Sequence, residues 1–184
     1  MTILGIDPGS RKTGYAVLDC DRSVLSLLDY GTISLTDLKT MPEKLVRIFN
    51  RVQALFEKFP IQTVAVEAGF YGKNAQSAYK LGYARSAAVL AAAMENVSVL
   101  EYSPRKVKQS VTGNGNASKQ LVKVMVKSLL KLSARMPLKE DEADACAVAI
   151  CHSQNAGRVP NQIKSWKEFI EKNDSKVVTQ PGGR

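Results

Sequence analysis

The feature that most constrains this chain is its opening, Ile3-Leu4-Gly5-Ile6-Asp7-Pro8-Gly9-Ser10. Ile3, Leu4 and Ile6 form a short apolar run with β-branched residues, bounded by turn signals, which is the pattern of a core strand. Pro8 has no N–H to give to a ladder, so the strand ends at Asp7. Gly9 lets the backbone turn, or lets a ligand come close. Thr13 to Leu18 then reads as a second strand. One carboxylate is thereby delivered to an open strand end. Asp-Pro-Gly-Ser also favours an Asx-turn, so at this point Asp7 reads equally as a turn residue or a site residue.

The next segments extend the same design. Residues 23–33 complete a three-stranded meander. Thr40-Met41-Pro42-Glu43 is a capping box with proline early in the first turn. Behind it Leu45, Ile48, Phe49, Val52, Phe56 and Phe59 keep helical spacing, which makes a core-facing stripe. Pro60 ends that helix. Thr63-Val64-Ala65-Val66-Glu67 reads as a fully buried strand that carries a second carboxylate at its end. A helix between two buried strands implies a parallel crossover. Glu67 then belongs at the same sheet edge as Asp7, where open α/β sheets place their sites. After a loop at 69–74, residues 75–94 are helical and rich in small side chains, suited to packing on a sheet or on a second subunit. Val97 to Tyr102 is the fifth strand.

Charge then becomes one-sided. The formal net charge is +9 over 184 residues, which favours an anionic partner, nucleic acid first. Between Arg105 and Arg135 every charged residue is basic. Lys119, Lys123, Lys127 and Lys131 recur every fourth residue behind a cap at Asn116 or Ser118, and Val122, Met125, Val126, Leu129 and Leu132 take the opposite face. Solvated helix faces usually mix signs in i,i+4 pairs. This one does not, and it reads as a phosphate-contacting surface. After Pro137, Asp141-Glu142-Ala143-Asp144 opens a last, apolar helix, with Asp141 and Asp144 on one face of its first turn.

Asp7, Glu67, Asp141 and Asp144 are therefore the candidate metal ligands. An all-carboxylate set selects Mg²⁺ or Mn²⁺ over zinc, and two such ions per active site support phosphoryl displacement. His152 is the sole histidine and reads as a core or surface residue. Asp141-Glu142-Ala143-Asp144 spells a helicase box, but the chain has no G-x-x-x-x-G-K-[ST] loop. The Asp7–Gly14 turn is also like the phosphate loop of actin-like sugar kinases, which need about twice this length. Cys20, Cys146 and Cys151 are unpatterned, which fits a reduced cytosol. No apolar run is long enough for a membrane span, and no secretory signal opens the chain. Residues 1–157 read as one domain and the polar stretch 158–184 as a loosely docked or disordered tail.

These residues carry a resemblance. Ile6-Asp7-Pro8-Gly9-Ser10 with Gly14-Tyr15, Glu67, Phe70, Lys73-Asn74-Ala75, Lys80-Leu81-Gly82 and Ala84-Arg85 resembles the RuvC family of Holliday junction resolvases. So do Arg105, Val107-Lys108-Gln109, Gly113, Gly115, Lys119 and Asp141-x-x-Asp144-Ala145. The resemblance implies an α/β, RNase H-like fold: a five-stranded mixed sheet, antiparallel meander plus parallel strands, with helices on both faces. It implies a homodimer in the bacterial cytoplasm that nicks opposed strands of a four-way DNA junction with Mg²⁺ or Mn²⁺. The partner it implies is the branch-migration motor of RuvA and RuvB. It places the catalytic acids on Asp7, Glu67, Asp141 and Asp144, the site lysines on Lys108 and Lys119, and a junction-stacking aromatic on Phe70. Lys73 and Arg85, with Lys108, Lys119, Lys123 and Lys127, complete the expected DNA contacts. A nuclease of simple RNA–DNA hybrids and a non-catalytic junction binder are the competing readings.

Overall fold

The computed structural model describes residues 1–21, 24–69, 75–133 and 135–156. Met1–Gln154 form one compact unit. The meander is β1 (Thr2–Asp7), β2 (Lys12–Asp21) and β3 (Val24–Ser34). Helix α1 (Met41–Lys58) leads to β4 (Thr63–Glu67), and α2 (Ala75–Met94) leads to β5 (Ser98–Tyr102). Three helices follow: α3 (Pro104–Thr112), α4 (Lys119–Leu129) and α5 (Glu140–Asn155). The sheet order is β3-β2-β1-β4-β5. β1 pairs antiparallel with β2 and parallel with β4, and β4 pairs parallel with β5. The mixed five-stranded sheet expected from the sequence is thus present, and the fold is RNase H-like.

Side chains of a strand alternate between faces, and the two faces have different cores. On one, Leu4, Ile6, Val17, Val64 and Val66 pack with Ile48, Val52 and Leu55 of α1 and the alanines of α2. On the other, Ile3, Ala16, Leu18 and Ala65 pack with α3, α4 and the fully buried stretch Ala145–Cys151 of α5. Asp7 shares its parity with Ile3 and Gly5, and Glu67 shares its parity with Ala65. Both carboxylates therefore belong to the α5 face.

The helix ends follow local chemistry. Thr40 and Glu43 form the expected capping box, and α1 stops at Lys58, just before Phe59 and Pro60. Ser118, not Asn116, caps α4 by accepting from the Leu121 N–H. Helix α3 is a separate element with Ser103 as its cap and Pro104 in its first turn. It ends at Gly113, whose φ of 77° is left-handed backbone that suits glycine.

Two expectations are refined. The lysine stripe is shorter than its spacing suggests, because α4 ends at Leu129 and Lys131 has left a helical conformation with φ 52°. Of the two packings open to the small residues of α2, five alanines take the sheet side: Ala84, Ala87, Ala88, Ala91 and Ala92 are buried against α1 and the sheet. The outward face of α2 instead exposes Tyr79, Tyr83, Leu90 and Met94.

Candidate active site

Strand register sets the first half of the site. β1 and β4 run parallel and adjacent, with Ile6 opposite Val66, so Asp7 and Glu67 leave neighbouring strand ends on one face. Both are half-buried. They line a cavity of about 260 Å³ together with Pro8, Gly69, Arg85 and Pro104.

Close packing sets the second half. Gly14 is the register partner of Asp7. A Cβ built on Gly14 lies 1.9 Å from the Asp141 carbonyl oxygen, and one on Gly5 lies 2.3 Å from the Ala145 carbonyl oxygen. No side chain fits at either place, so the backbone of α5 rests directly on the sheet. Its N-terminal turn comes down beside Asp7, and Asp141 and Asp144 are carried there with it. Glu142 anchors that turn. It is buried, accepts from the Lys139 N–H at 2.8 Å and accepts from the Thr32 hydroxyl at 3.2 Å. Its reach back to Lys139 is the acidic half of a capping box.

Electrostatics bind these groups into one site. Burial, then repulsion from Glu67, Asp144 and Asp141, raises Asp7 to a pKa of about 8. Burial and Asp144 raise Glu67 to about 7 against the pull of Lys119 and Lys108. Asp144 is also pushed up, because burial outweighs its Lys119 neighbour. The Lys119 ammonium lies 3.3 Å from Asp144 and 3.9 Å from Glu140. Asp144 and its hydrogen bond raise the Lys119 pKa, which keeps it charged at neutral pH. Among the described residues no three acids already stand within gripping distance of one ion. The donor set is nevertheless all oxygen, partly buried and mutually repelling, which fits a hard divalent cation once the side chains close on it.

The remaining candidates divide. Lys108, half-buried on α3, is near enough to act on Glu67. Arg85 lines the Asp7–Glu67 cavity, with one guanidinium nitrogen 2.5 Å from Glu101. Lys123 is half-buried on α4, and Lys127 donates to the Met136 carbonyl at 2.7 Å. Phe70 and Lys73 lie outside the described residues, as do residues 158–184. His152 is buried and its Nδ1 is 2.8 Å from the Tyr102 hydroxyl, which is the core role expected of it. Sequence reasoning does not single out Gly5 and Gly14 as packing residues, Glu142 as an anchor, or Glu101 as the partner of Arg85. Glycine inside a strand is a signal of close backbone approach; the partner of Arg85 has no signal, since it depends on which strand α2 crosses.

The family model for "Crossover junction endodeoxyribonuclease RuvC" matches residues 3–152. The chain belongs to the RuvC family. The RuvC of Citrifermentans bemidjiense is 46% identical over 85% of this chain and 94% of its own length. That of Cytophaga hutchinsonii is 40% identical over 97% of this chain and 89% of its own. The solved structure of Thermus thermophilus RuvC in complex with a Holliday junction substrate matches with a TM-score of 0.78 and 34% identity, covering 85% of this chain and 94% of that one. RuvC proteins are divalent-metal-dependent nucleases that hydrolyse phosphodiester bonds.

Proposed function

We propose that this chain resolves four-way DNA junctions by metal-dependent hydrolysis of one phosphodiester in each of two opposed strands. The observation that carries the reading is the placement of two strand-end acids under the acidic first turn of α5, within a RuvC match that spans residues 3–152. Asp7, Glu67, Asp141 and Asp144 would hold Mg²⁺ or Mn²⁺, two ions per site. A bound divalent cation supplies activation of water and neutralisation of the oxygen that leaves.

The chain's own residues supply the rest. The raised pKa values of Asp7 and Glu67 leave protons on this pair near neutral pH, so cation binding displaces protons and strengthens as pH rises. Lys119 stays an ammonium and can donate but not accept a proton. Its role is to oppose charge that develops on the phosphate oxygens, with Lys108 beside it. In the hydrolysis the oxygen of water bonds to phosphorus, the bond from phosphorus to one ester oxygen breaks, and that oxygen gains a proton.

Two-fold substrates suit two-fold enzymes. The outward face of α2, with Tyr83, Leu90 and Met94 each at least 50% exposed, is the surface proposed for a homodimer. Phe70, three residues beyond Glu67 in sequence, is proposed to stack on an unpaired base. A bacterial cytoplasmic location, a RuvA–RuvB motor partner and a separate polar tail at 158–184 complete the reading. The test is a synthetic four-way junction with Mg²⁺ beside a linear duplex and an RNA–DNA hybrid. Paired nicks in the junction alone are expected; preferential cutting of the hybrid would replace this function with that of a hybrid nuclease.

A further inference from the structure

A second groove, of about 720 Å³, adjoins the Asp7–Glu67 cavity across the β1–β2 turn. Ser10, Arg11, Lys12, Thr36, Lys139 and Asp141 line it. The two depressions share Leu81, and the Asp7-Pro8 pair of the first runs directly into the Gly9-Ser10 pair of the second. Glu140 and Asp141 enter this groove from α5, and Glu140 has Lys119 3.9 Å away. Asp141 belongs to the proposed cation site.

Some cations of this body are already held by acids. Arg47 pairs with Asp37, Lys58 with Asp29, Arg85 with Glu101, Lys119 with Asp144 and Lys139 with Glu142. Arg11 and Lys12 are exposed and have no acid partner among the described residues. They are also held on a stiff support. The Thr13 hydroxyl, fully buried, lies 3.4 Å from both the N–H and the carbonyl oxygen of Gly9. A Cβ on Gly9 would lie 2.1 Å from the Lys12 carbonyl oxygen, so the turn is closed tightly on itself. The Arg11 carbonyl accepts from the Leu35 N–H, which ties the turn to the end of β3. The backbone that carries these charges is already ordered, so only the side chains lose freedom on meeting an anion.

We infer that Arg11 and Lys12, with Lys139 opposite, form a phosphate-backbone subsite that grips the cut strand next to the scissile phosphate. This rests on the endonuclease reading and deepens it by giving the strand a direction, out of the Asp7–Glu67 cavity and over the β1–β2 turn. Phosphate contacts of this kind position a strand without reading its sequence.

The experiment compares wild type with the double variant Arg11→Gln/Lys12→Gln, and both substitutions fall on exposed side chains. Binding of a synthetic four-way junction is measured over a range of salt with Ca²⁺ present. The plot of log K against log salt is expected to be shallower in the variant by about two for each protomer, and so by about four for the proposed homodimer, one for each phosphate no longer neutralised. Cleavage is then measured in Mg²⁺ on junctions that carry a neutral methylphosphonate at single positions flanking the cut. On one side of the cut the neutral linkage should slow wild type about tenfold, as when a charge-assisted hydrogen bond is removed, and should leave the variant no slower than it already is. An unchanged salt slope, or a variant that keeps every methylphosphonate sensitivity of wild type, overturns the subsite. A wild type that binds with the expected slope difference yet cuts nothing sinks the endonuclease reading and leaves the subsite standing. A wild type that does not bind the junction overturns both.

Discussion

The two faces of the sheet hold their helices by opposite means. On the α1–α2 face large side chains interdigitate: Ile48, Val52 and Leu55 fill the space over Leu4, Ile6 and Val66. On the α5 face at the site end there are almost no side chains between helix and sheet, because Gly5 and Gly14 meet the backbone of α5 itself. The first arrangement contributes stability and tolerates adjustment, as hydrophobic cores do. The second fixes a distance. It sets where Asp141 and Asp144 stand relative to Asp7 and Glu67, so its errors should appear in activity before they appear in folding.

Variants on the α5 face should therefore cost cleavage, and variants on the other face stability. The largest effect is expected for Asp7→Asn, which should lower junction cleavage on the order of 10³-fold, as when a principal electrostatic group is removed from a site. Junction binding should persist in a gel-shift assay. Next comes Gly14→Val. Its side chain has no room against the Asp141 carbonyl, and a shift of α5 by about 1 Å should cost roughly 10²-fold in cleavage. Overpacking should destabilise by about 1–3 kcal/mol in urea unfolding. Glu142→Ala loosens the same turn by removing its anchor, with an expected loss of about 1–2 kcal/mol and a smaller fall in cleavage. At the other extreme is Leu55→Ala. It should cost about 2–5 kcal/mol, while cleavage per folded molecule at low temperature stays that of wild type. Equal cleavage losses for Leu55→Ala and Gly14→Val would erase the contrast.

Acidity sharpens it further. Asp7 rises from 3.8 to about 8 and Glu67 from 4.5 to about 7 on folding, so between about pH 4 and 8 the folded chain binds more protons than the unfolded one. Stability of the cation-free protein should then fall as pH rises through that window. Mg²⁺ should oppose the fall. Asp7→Asn should remove part of it and raise the cation-free melting temperature at pH 8 by about 3–8 °C, for a gain on the order of 1–3 kcal/mol. A wild-type melting temperature that climbs from pH 5 to 8 without metal would mean that the carboxylates are not held together.

Legibility in the sequence followed the range of the interactions. Strand ends at Asp7 and Glu67, the capping box at Thr40 and the break before Pro60 are local and could be read directly. The edge shared by Asp7 and Glu67 followed from one crossover. The Arg85–Glu101 pair depends on a partner in another element, and spacing carries no record of it; α4 ends on a local cap, with Lys131 in left-handed backbone and the Leu132 N–H bonded to the Lys127 carbonyl, where no glycine signals the stop. The glycine contacts under α5 lie between: Gly5 and Gly14 mark close approach, but the sequence does not say to what.

The strand-borne and helix-borne acids are expected to act as one site. Calorimetric titration of Mn²⁺ onto wild type, Asp7→Asn, Asp144→Asn and the double variant tests it most directly. If the acids share their cations, either single change removes most of the affinity and the double change adds little, with a coupling of about 1 kcal/mol or more. Losses that simply add would place the two pairs of acids in separate sites and contradict the account.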